Sequence, residues 1–567
     1  MRRVVALSLA ALTACLVIGT ATGAARTAQA NVAVYPAGTS FTATGAAPRH
    51  GSSSLSLAMP IGAVDDAVIL ARGAQHVSAL TTSIDPALTM HLLFAHYVSV
   101  NGKLVPDVLE PWDGGQRHTE RTNQPIWVQI TVPQGTAPGT YAGSVSLVAD
   151  GTPTAIPISV HVANVTIPPP GQVSGSLLTA FSSSPQAYGN EVHRLYGISA
   201  KQSLPGFFPF LASYRISPNT WGYGTPDSKS GYTTKGDWFK DKAARMTEAV
   251  GNPRQFAAMA IPMSNNRATP HKWTAGVSPY APSTWCPYLK AVKGFWKSHG
   301  WLPGAYPYLY AMDEPGGKLY PIIRRQAKAA HRCWPGSHVV VTTRPQPDDR
   351  YLWNGGKDDI DVFAVLESRY YGEYTNPRPY EQGQRRATMF LRYINAARRQ
   401  GKQIWTYTYE SPAHTTPGLA AVEPASSPRM FTAWAALEGI TGLLRGNSMT
   451  NYDPRSNPFD TNNKGGDYVL IYPGRNAPIA SARLEELREG IEDWEILNIV
   501  RQKHGSKAVV KLLSRLFSTT ATGAKLACFI GCPIKNSLPY SWPLFSHDAT
   551  TATKIARMRA KALAAAS

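Results

Sequence analysis

Beyond residue 171 the chain alternates short apolar segments with helical stretches, and this alternation constrains the fold more than any other feature. The helical stretches are roughly a dozen residues long, as expected where strands and helices alternate. Such alternation produces parallel sheets covered by helices. Eight such units over about 320 residues predict a (β/α)8 barrel of the TIM type. The strands are expected to begin near Leu177, Tyr214, Phe256, Ala305, His338, Ile360, Gln403 and Ile440.

The region before residue 168 has a different pattern, which predicts an all-β sandwich. Its segments alternate apolar and polar residues or are rich in β-branched residues, and turn signals separate them. Pro168-Pro169-Pro170-Gly171 then interrupts the pattern and suits an interdomain linker. The chain is therefore expected to be multidomain. The expected units are a signal peptide (1–30), the β-sandwich (31–170), the barrel (171–505) and a C-terminal extension (506–567) with a Cys528/Cys532 loop and a terminal helix.

The first thirty residues are typical of an export signal. Arg2 and Arg3 form a basic start, residues 4–14 form an apolar run, and residues 28–30 read Ala-Gln-Ala, a small-residue cleavage site. The apolar run is too short for a membrane span, which needs about 20 residues. We expect a secreted protein, with lipoprotein anchoring through Cys15 as the less favoured alternative.

Removal of this leader leaves four cysteines, Cys286, Cys333, Cys528 and Cys532. An even number of cysteines in an exported chain favours disulfides. If the close neighbours Cys528 and Cys532 pair, Cys286 and Cys333 would pair across the barrel region. Zinc is the alternative, but the absence of a nearby histidine cluster in the sequence disfavours it.

The net charge of +20 could attract acidic polymers. Many of the basic residues fall on expected helix faces, where solvent exposure explains them without a ligand. The sequence contains no nucleic-acid-binding module, no nucleotide loop and no convincing metal-ligand spacing. A nucleic-acid partner, a metal and a cofactor are therefore not expected, and the sequence leaves the oligomeric state open.

Asp313 and Glu314 directly follow the fourth expected barrel strand, and catalytic groups of such barrels lie at these strand ends. Neighbouring side chains on a regular strand face opposite ways. Pro315 and the two glycines after it are expected to break that regularity, so that both carboxyls can serve one site. Two close carboxyls resist ionising together, which leaves one proton donor beside one anion. Cleavage of a glycosidic bond requires such a pair.

Other expected strand ends carry side chains that suit a sugar pocket. Aromatic rings pack on the apolar faces of sugars, and carboxylates bind their hydroxyl groups. Trp405, Tyr407 and Tyr409 share one strand face, although the sequence does not decide whether that face is the barrel interior. The expected substrate-binding residues are Glu367, Tyr371, Trp405, Tyr407 and Glu410, and Arg344, Tyr370, Asn451, Tyr452 and Asp453 lie at similar strand ends.

Several segments resemble glycoside hydrolase family 123. Residues 310–315 (YAMDEP), 468–474 (YVLIYPG) and 483–495 (RLEELREGIEDWE) are similar to its catalytic domain. The stretch from QPIWV at residue 124 to PGTYAG ending at residue 143 resembles the β-sandwich that precedes such domains. Together the resemblance covers most of residues 90–500.

The resemblance implies a β-N-acetylgalactosaminidase that retains anomeric configuration by substrate-assisted catalysis. Glu314 would be the general acid/base, and Asp313 would stabilise the 2-acetamido group whose carbonyl oxygen attacks the anomeric carbon. Tyr407 is the tyrosine expected to hydrogen-bond that acetamide. The segment 439–447 is less aromatic than this strand is in the family, which leaves the preferred sugar open. The acidic segment 483–495 is expected to be a barrel-closing helix that serves stability.

Two other functions fit the same residues. In the first, Glu314 works with a distant carboxylate, Glu367 or Glu410, as a conventional two-carboxylate glycosidase on another sugar. In the second, the protein binds carbohydrate without turnover, since a fold does not establish activity. Linkage, natural polymer and exo or endo action are not fixed by the sequence.

Overall fold

The computed structural model describes most of the N-terminal half of the chain and many of the strands and helices of the C-terminal half. Residues 1–29 of the expected leader and the pair Cys528 and Cys532 lie outside the described residues. The described residues are 30–100, 102–219, 255–261, 282–315, 319–345, 360–366, 392–408, 417–446, 449–452, 457, 459, 469–518, 544–545 and 550–567.

The N-terminal region is a β-rich domain of two sheets that share one hydrophobic cluster. Their strands are β1 (Asn31–Pro36), β2 (Leu55–Ile61), β3 (Val64–Arg72), β4 (His76–Ile84), β5 (Thr89–Val100), β6 (Lys103–Trp112), β7 (Arg117–His118), β8 (Asn123–Thr131), β9 (Gly139–Ala149) and β10 (Thr152–Thr166).

One sheet of this domain also takes in strands from much later in the sequence. Its order is β1-β3-β8-β5-β6-β19-β18, where β18 is Ile471–Tyr472 and β19 is Ile479–Ser481. The other sheet has the order β2-β10-β9-β4-β7. The antiparallel pairing of β19 with β6 therefore joins the late part of the chain to the N-terminal domain through backbone hydrogen bonds.

The central part of the chain forms a parallel sheet of seven described strands that curls into a nearly closed barrel. Its order is β11-β17-β16-β15-β14-β13-β12. These strands are almost wholly buried, as is usual for parallel strands with both faces covered. They are β11 (Leu178–Phe181), β12 (Ala258–Ala260), β13 (Tyr306–Met312), β14 (His338–Val341), β15 (Val362–Leu366), β16 (Gln403–Thr408) and β17 (Gly442–Arg445).

The expected second strand, near Tyr214, is represented by a single parallel bridge between Phe181 and Pro218. Phe181 donates its N–H to the carbonyl of Ser217 and accepts from the N–H of Asn219. On the other side, Ser217 Oγ accepts from Ala258 N–H at 3.3 Å. Residues 216–219 thus lie between β11 and β12 and narrow the gap in the barrel.

The described helices pack around the barrel and form most of the described C-terminal part. One helix is described over residues 392–399. No described helix is long and apolar enough to span a membrane. The helices are α1 (Pro185–Tyr196), α2 (Ala200–Ser203), α3 (Phe207–Ser213), α4 (Pro282–Ser298), α5 (Tyr320–Cys333), α6 (Ser427–Glu438), α7 (Ala482–His504), α8 (Ser506–Leu513) and α9 (Thr551–Ala566), with a short two-stranded sheet of β20 (Phe517–Ser518) and β21 (Leu544–Phe545).

A disulfide joins Cys286 in α4 to Cys333 at the end of α5. This is the pairing expected if Cys528 and Cys532 form the other bridge. The two helices pack against each other on the outside of the barrel, with Trp296 against Trp334 at a ring separation of 5.3 Å. The disulfide therefore ties together the helices on either side of β13.

Helix α7 is buried on all sides. Seventeen of its 23 residues are buried, and eight of these carry charged side chains. The helix begins at the cap of Ser481, whose hydroxyl accepts from Leu484 N–H at 3.1 Å. A helix that is buried all round is expected to be apolar, so each of these charges needs a partner.

The partners come from every neighbouring part of the fold. Arg483 binds Asp107 of β6 at 2.7 Å, and Arg488 binds Asp66 of β3 at 3.3 Å. Asp493 accepts from Arg429 of α6 at 2.7 Å and from Arg559 of α9 at 3.0 Å. Helix α7 is therefore the centre of an ionic network that joins the β-rich domain, the barrel and the C-terminal helix.

The network contains more acids than bases. Nine buried carboxyls face five guanidinium groups, so the carboxyls cannot all be ionised at low cost. Burial raises the pKa of Glu486 and of Glu495 to about 8 in each case. Burial also raises the pKa values of Asp66, Glu489 and Glu492. The carboxyls are Asp65, Asp66, Asp107, Glu485, Glu486, Glu489, Glu492, Asp493 and Glu495, and the bases are Arg215, Arg429, Arg483, Arg488 and Arg559.

These raised pKa values predict that the fold loses stability as the pH rises from about 4.5 to about 8. A carboxyl whose pKa rises from 4.5 to about 8 on folding contributes stability below pH 4.5 that is lost as the pH rises through 8. The slope reaches about 1.4 kcal/mol per pH unit for each group. In urea denaturation between pH 5 and pH 8.5, Glu486→Gln is expected to flatten the fall in unfolding free energy. The exposed Asp113→Asn serves as the control and should keep the wild-type slope. A wild-type unfolding free energy that rises over this range would contradict the assignment.

Candidate active site

Strand β13 brings Asp313 and Glu314 to the C-terminal end of the barrel, as the sequence predicts. The strand is irregular between Tyr310 and Met312, where its register with β14 shifts. Glu314 then has a φ of 40°, in the left-handed region that residues other than glycine rarely adopt. The departure from regular geometry thus begins within the strand and includes Glu314 itself. Pro315 follows the turn, and the two glycines after it lie outside the described residues.

Asp313 is held by two hydroxyl groups. Tyr310 donates its hydroxyl to Oδ1 of Asp313 at 2.7 Å, and Oγ1 of Thr342 lies 3.1 Å from the same oxygen. Burial and the neighbouring Asp313 charge raise the pKa of Tyr310 well above its usual value. Tyr310 therefore stays protonated at neutral pH and can donate this hydrogen bond.

Glu314 is held through both its main chain and its side chain. Its N–H donates to Thr342 Oγ1 at 2.7 Å, and its Oε1 accepts from the Tyr407 hydroxyl at 2.5 Å. Asp313 and Glu314 are both half-buried. One turn therefore presents two carboxylates that bind different hydroxyl groups and still reach the surface of the barrel mouth.

Trp405 and Tyr407 both face the barrel interior, which settles the question that the sequence left open. Both belong to the hydrophobic cluster formed by inward side chains of the barrel strands, including Tyr306 and Tyr308. Tyr407 lies at the upper end of this cluster, where its hydroxyl reaches Glu314. The structure thus brings Tyr407 to Glu314, and its contact there is to a carboxylate.

Trp405 occupies a different place from the one expected for a substrate-binding residue. Its side chain is fully buried, and its indole N–H donates to Gln403 Oε1 at 3.1 Å. A Cβ on Gly442 would lie 2.4 Å from the indole ring. Strand periodicity gives the face on which a side chain lies but not its depth, and Trp405 lies two residues below Tyr407. We therefore assign it to the barrel core.

The remaining expected residues are only partly open to structural description. Glu367, Tyr371 and Glu410 lie outside the described residues, as do Tyr370, Tyr409 and Asp453. Tyr452 is described, and its hydroxyl donates to the carbonyl of Ile471 at 2.7 Å. That bond ties Tyr452 to β18 and gives it a packing role.

Three residues that bond to the turn or to the inward tyrosines of β13 were not expected from the sequence. Tyr310 could have been found, because period-two geometry puts it on the inward face with Tyr306 and Tyr308. Thr342 directly follows β14 but carries no distinctive signal. Asn219 accepts from the Tyr308 hydroxyl at 2.9 Å and ends the segment between β11 and β12.

The described residues give no metal site and no cavity that we assign to the candidate active site. Within the described ranges, no group of three or more His, Cys, Asp or Glu side chains could hold a metal ion. A cavity of about 700 Å³ lies between the β-rich domain and α7, where Trp112 and Glu485 line it. Both oxygens of Glu485 are already bonded, to Tyr214 and Gln129, so we assign this cavity no part in the site.

Comparisons with known proteins agree on one family. The sequence profile of the glycoside hydrolase 123 catalytic domain matches residues 252–500, and that of the glycoside hydrolase 123 N-terminal domain matches residues 94–149. No curated protein matches the sequence.

Solved structures show the same likeness at the level of the fold. A family 123 glycoside hydrolase from Clostridium perfringens, studied for glycolipid glycan hydrolysis, has a TM-score of 0.60 at 15% identity, over 94% of this chain and 98% of that chain. A GH10 xylanase with a bacterial Ig-like domain, from termite gut, has a TM-score of 0.33 at 11% identity, over 78% and 99%. The first likeness supports the fold alone, and the second is too distant to argue from.

The packing of Trp405 predicts that Gly442→Ala destabilises the protein. The added Cβ would overlap the indole ring, and overpacking of this kind costs about 1–3 kcal/mol. Urea or thermal unfolding measures the loss. The matched control is Gly294→Ala in α4, where a Cβ meets nothing within 4 Å and alanine is favoured by up to about 1 kcal/mol. Equal stability of the two variants would show that Trp405 does not pack as described.

Proposed function

The chain belongs to glycoside hydrolase family 123, and from this premise we propose that it removes β-linked N-acetylgalactosamine from glycans with retention of configuration. Residues 171–505 would form the catalytic domain. The observation that carries the proposal is the Asp313–Glu314 turn. Its two consecutive carboxylates share one strand end but bind different hydroxyls, those of Tyr310 and Tyr407.

Adjacent carboxylates suit a reaction in which the sugar supplies the nucleophile. A conventional pair flanks the bond, with carboxyl groups about 5–5.5 Å apart for retention and about 6.5–9.5 Å apart for inversion. Two neighbours on one turn approach the substrate from the same wall of the barrel. When the acetamide oxygen attacks the anomeric carbon, one carboxyl need only transfer a proton while the other holds the acetamide.

In the first step, Glu314 gives its proton to the glycosidic oxygen as the bond to the anomeric carbon breaks. The acetamide carbonyl oxygen of the same sugar forms the new bond to that carbon, and Asp313 accepts a hydrogen bond from the acetamide N–H as positive charge develops there. In the second step, Glu314 takes a proton from water, whose oxygen attacks the anomeric carbon. The bond from that carbon to the acetamide oxygen breaks, which restores the acetamide and opens the five-membered ring formed in the first step. Two inversions at one carbon give net retention.

The structure gives each carboxylate support for its role. Tyr310 stays protonated and donates to Oδ1 of Asp313, which stabilises an anion facing the acetamide. Tyr407 donates to one oxygen of Glu314 and leaves the other for proton transfer. Tyr407 would then act on the acetamide only after exchanging its present partner, so we propose it first as an orienting group for Glu314.

We also propose that the enzyme works outside the cytoplasm after removal of the leader. The Cys286–Cys333 disulfide supports this, because disulfides persist mainly in oxidising compartments. The natural substrate would then be an extracellular glycan, and glycolipid and protein-linked glycans are both worth testing.

The proposal predicts a defined pattern on aryl glycosides. The wild type should cleave the β-N-acetylgalactosaminide and fail on the β-galactoside, which has no acetamide. Glu314→Gln is expected to lower kcat/KM by about 10²–10⁴-fold through loss of proton transfer. Asp313→Asn should lower it by about 10²–10³-fold through loss of transition-state charge stabilisation. Initial rates of aryl release measure the wild type on both substrates and the two variants. The β-N-acetylglucosaminide is included to test which aminosugar is preferred.

The same panel separates the alternatives. Equal cleavage of the β-galactoside would rule out substrate assistance. A mild effect of Asp313→Asn beside a severe effect of Glu367→Gln or Glu410→Gln would favour the conventional two-carboxylate reaction. Binding of aminosugar glycans without any turnover would instead indicate a carbohydrate-binding protein.

A further inference from the structure

Thr342 contacts every part of the turn that carries the two carboxylates. Its side chain is buried, with 2% of its surface exposed. Its Oγ1 lies 2.7 Å from Glu314 N, 3.1 Å from Asp313 Oδ1, 3.1 Å from the Tyr310 hydroxyl and 3.3 Å from the carbonyl of Met312. One hydroxyl on the neighbouring strand therefore meets the main chain of one carboxylate residue and the side chain of the other.

The donors and acceptors around this hydroxyl can be assigned. A threonine hydroxyl has one proton to donate and two lone pairs. The Glu314 N–H is a donor, so Thr342 Oγ1 accepts from it. Tyr310 stays protonated, and its hydroxyl donates a hydrogen bond to Asp313 Oδ1. The Thr342 proton then points to the same oxygen, which is closer to Oγ1 than the Met312 carbonyl is.

The bond to Glu314 N–H has a particular task because of the local backbone. Glu314 has a φ of 40°, and a left-handed conformation costs a residue with a Cβ about 1–2 kcal/mol. Such strain persists only where surrounding contacts impose it. The short hydrogen bond from Glu314 N–H to Thr342 is a contact of that kind on this backbone.

We propose that Thr342 is a positioning residue that fixes the two carboxylates relative to each other. It would act through Asp313 and Glu314 without touching the substrate. The inference rests on the proposed function in that these carboxylates must be the reacting groups. It adds that the geometry of the pair is imposed from the end of β14, one strand away from the residues that react.

Two substitutions at this position separate the hydroxyl from the shape of the side chain. Thr342→Val keeps the branched shape and removes the hydroxyl, whereas Thr342→Ser keeps the hydroxyl. Misplacement by about 1 Å can cost about 10²-fold in rate. We therefore expect Thr342→Val to lower kcat by about 10–100-fold with little change in KM, and Thr342→Ser to recover most of the wild-type kcat.

Thr406→Val is the matched control for loss of a buried hydroxyl. Thr406 is also a fully buried threonine of the barrel, and its hydroxyl donates to the carbonyl of Val365 at 2.9 Å. It should lower the melting temperature about as much as Thr342→Val and leave kcat unchanged. A loss of kcat common to Thr406→Val and Thr342→Val would indicate a general effect on folding and would overturn the proposal.

The kinetic comparison uses whichever aryl glycoside the wild type cleaves fastest, so a change of preferred sugar does not affect it. A crystal structure of Thr342→Val gives a readout that needs no substrate. The expected result is a Glu314 backbone that leaves the left-handed region or an Asp313 side chain that turns away from Tyr310. An unchanged turn, or a kcat within twofold of the wild type, would overturn the role of Thr342 while leaving the proposed reaction intact.

Discussion

The fold depends on the buried ionic network around α7. This helix carries eight buried charged residues, and their partners come from β3, β6, α6 and α9. Removal of one member of a buried pair typically costs 3–5 kcal/mol, because the charge left behind has neither water nor a partner. The ion pairs of Asp107, Arg429 and Arg559 with α7 link the β-rich domain, α6 and the C-terminal helix to one element.

Helix α7 also packs next to the barrel strands that hold the site. Gly490 of α7 allows α6 to approach closely, since a Cβ there would meet Thr432 Oγ1 at 2.2 Å. Trp494 donates its indole N–H to the carbonyl of Ile440 at 3.0 Å, just before β17. From there the packing continues inward through Gly442 and the ring of Trp405. Helix α7 is thus linked by neutral packing contacts to the barrel core that lies below the carboxylate turn.

The sequence predicted the parts of this structure that have local signals. The apolar segments predicted near Ala305, His338 and Gln403 are barrel strands. Asp313 and Glu314 lie at the C-terminal end of such a strand, as the sequence predicted. The strand near Tyr214 is described only as far as residue 219, and within the described residues its pairing is one parallel bridge, between Phe181 and Pro218. Local patterning shows that a segment is apolar but not how long its pairing will run.

The parts that the sequence could not predict depend on distant contacts or on depth. Residues 483–495 were predicted to form a stabilising helix, yet nothing local to them names Asp66 or Asp107 as partners more than 370 positions away. Thr342 has no pattern that separates it from any other threonine after a strand. The sequence put Trp405 on the same strand face as Tyr407, but not at the depth in the barrel that buries its ring away from a substrate.

In the reaction that we propose, the substrate's own acetamide oxygen is the nucleophile beside Asp313 and Glu314. Its most direct test is kcat/KM for aryl β-galactosaminides bearing N-acetyl, N-fluoroacetyl, N-difluoroacetyl and N-trifluoroacetyl groups. Each fluorine withdraws electrons from the attacking oxygen. If this oxygen attacks the anomeric carbon, kcat/KM should fall by about tenfold or more per fluorine, or about 1.4 kcal/mol in the barrier at each step. Rates that stay within twofold across the series would contradict it, because a carboxylate nucleophile of the protein does not depend on the basicity of the acetamide.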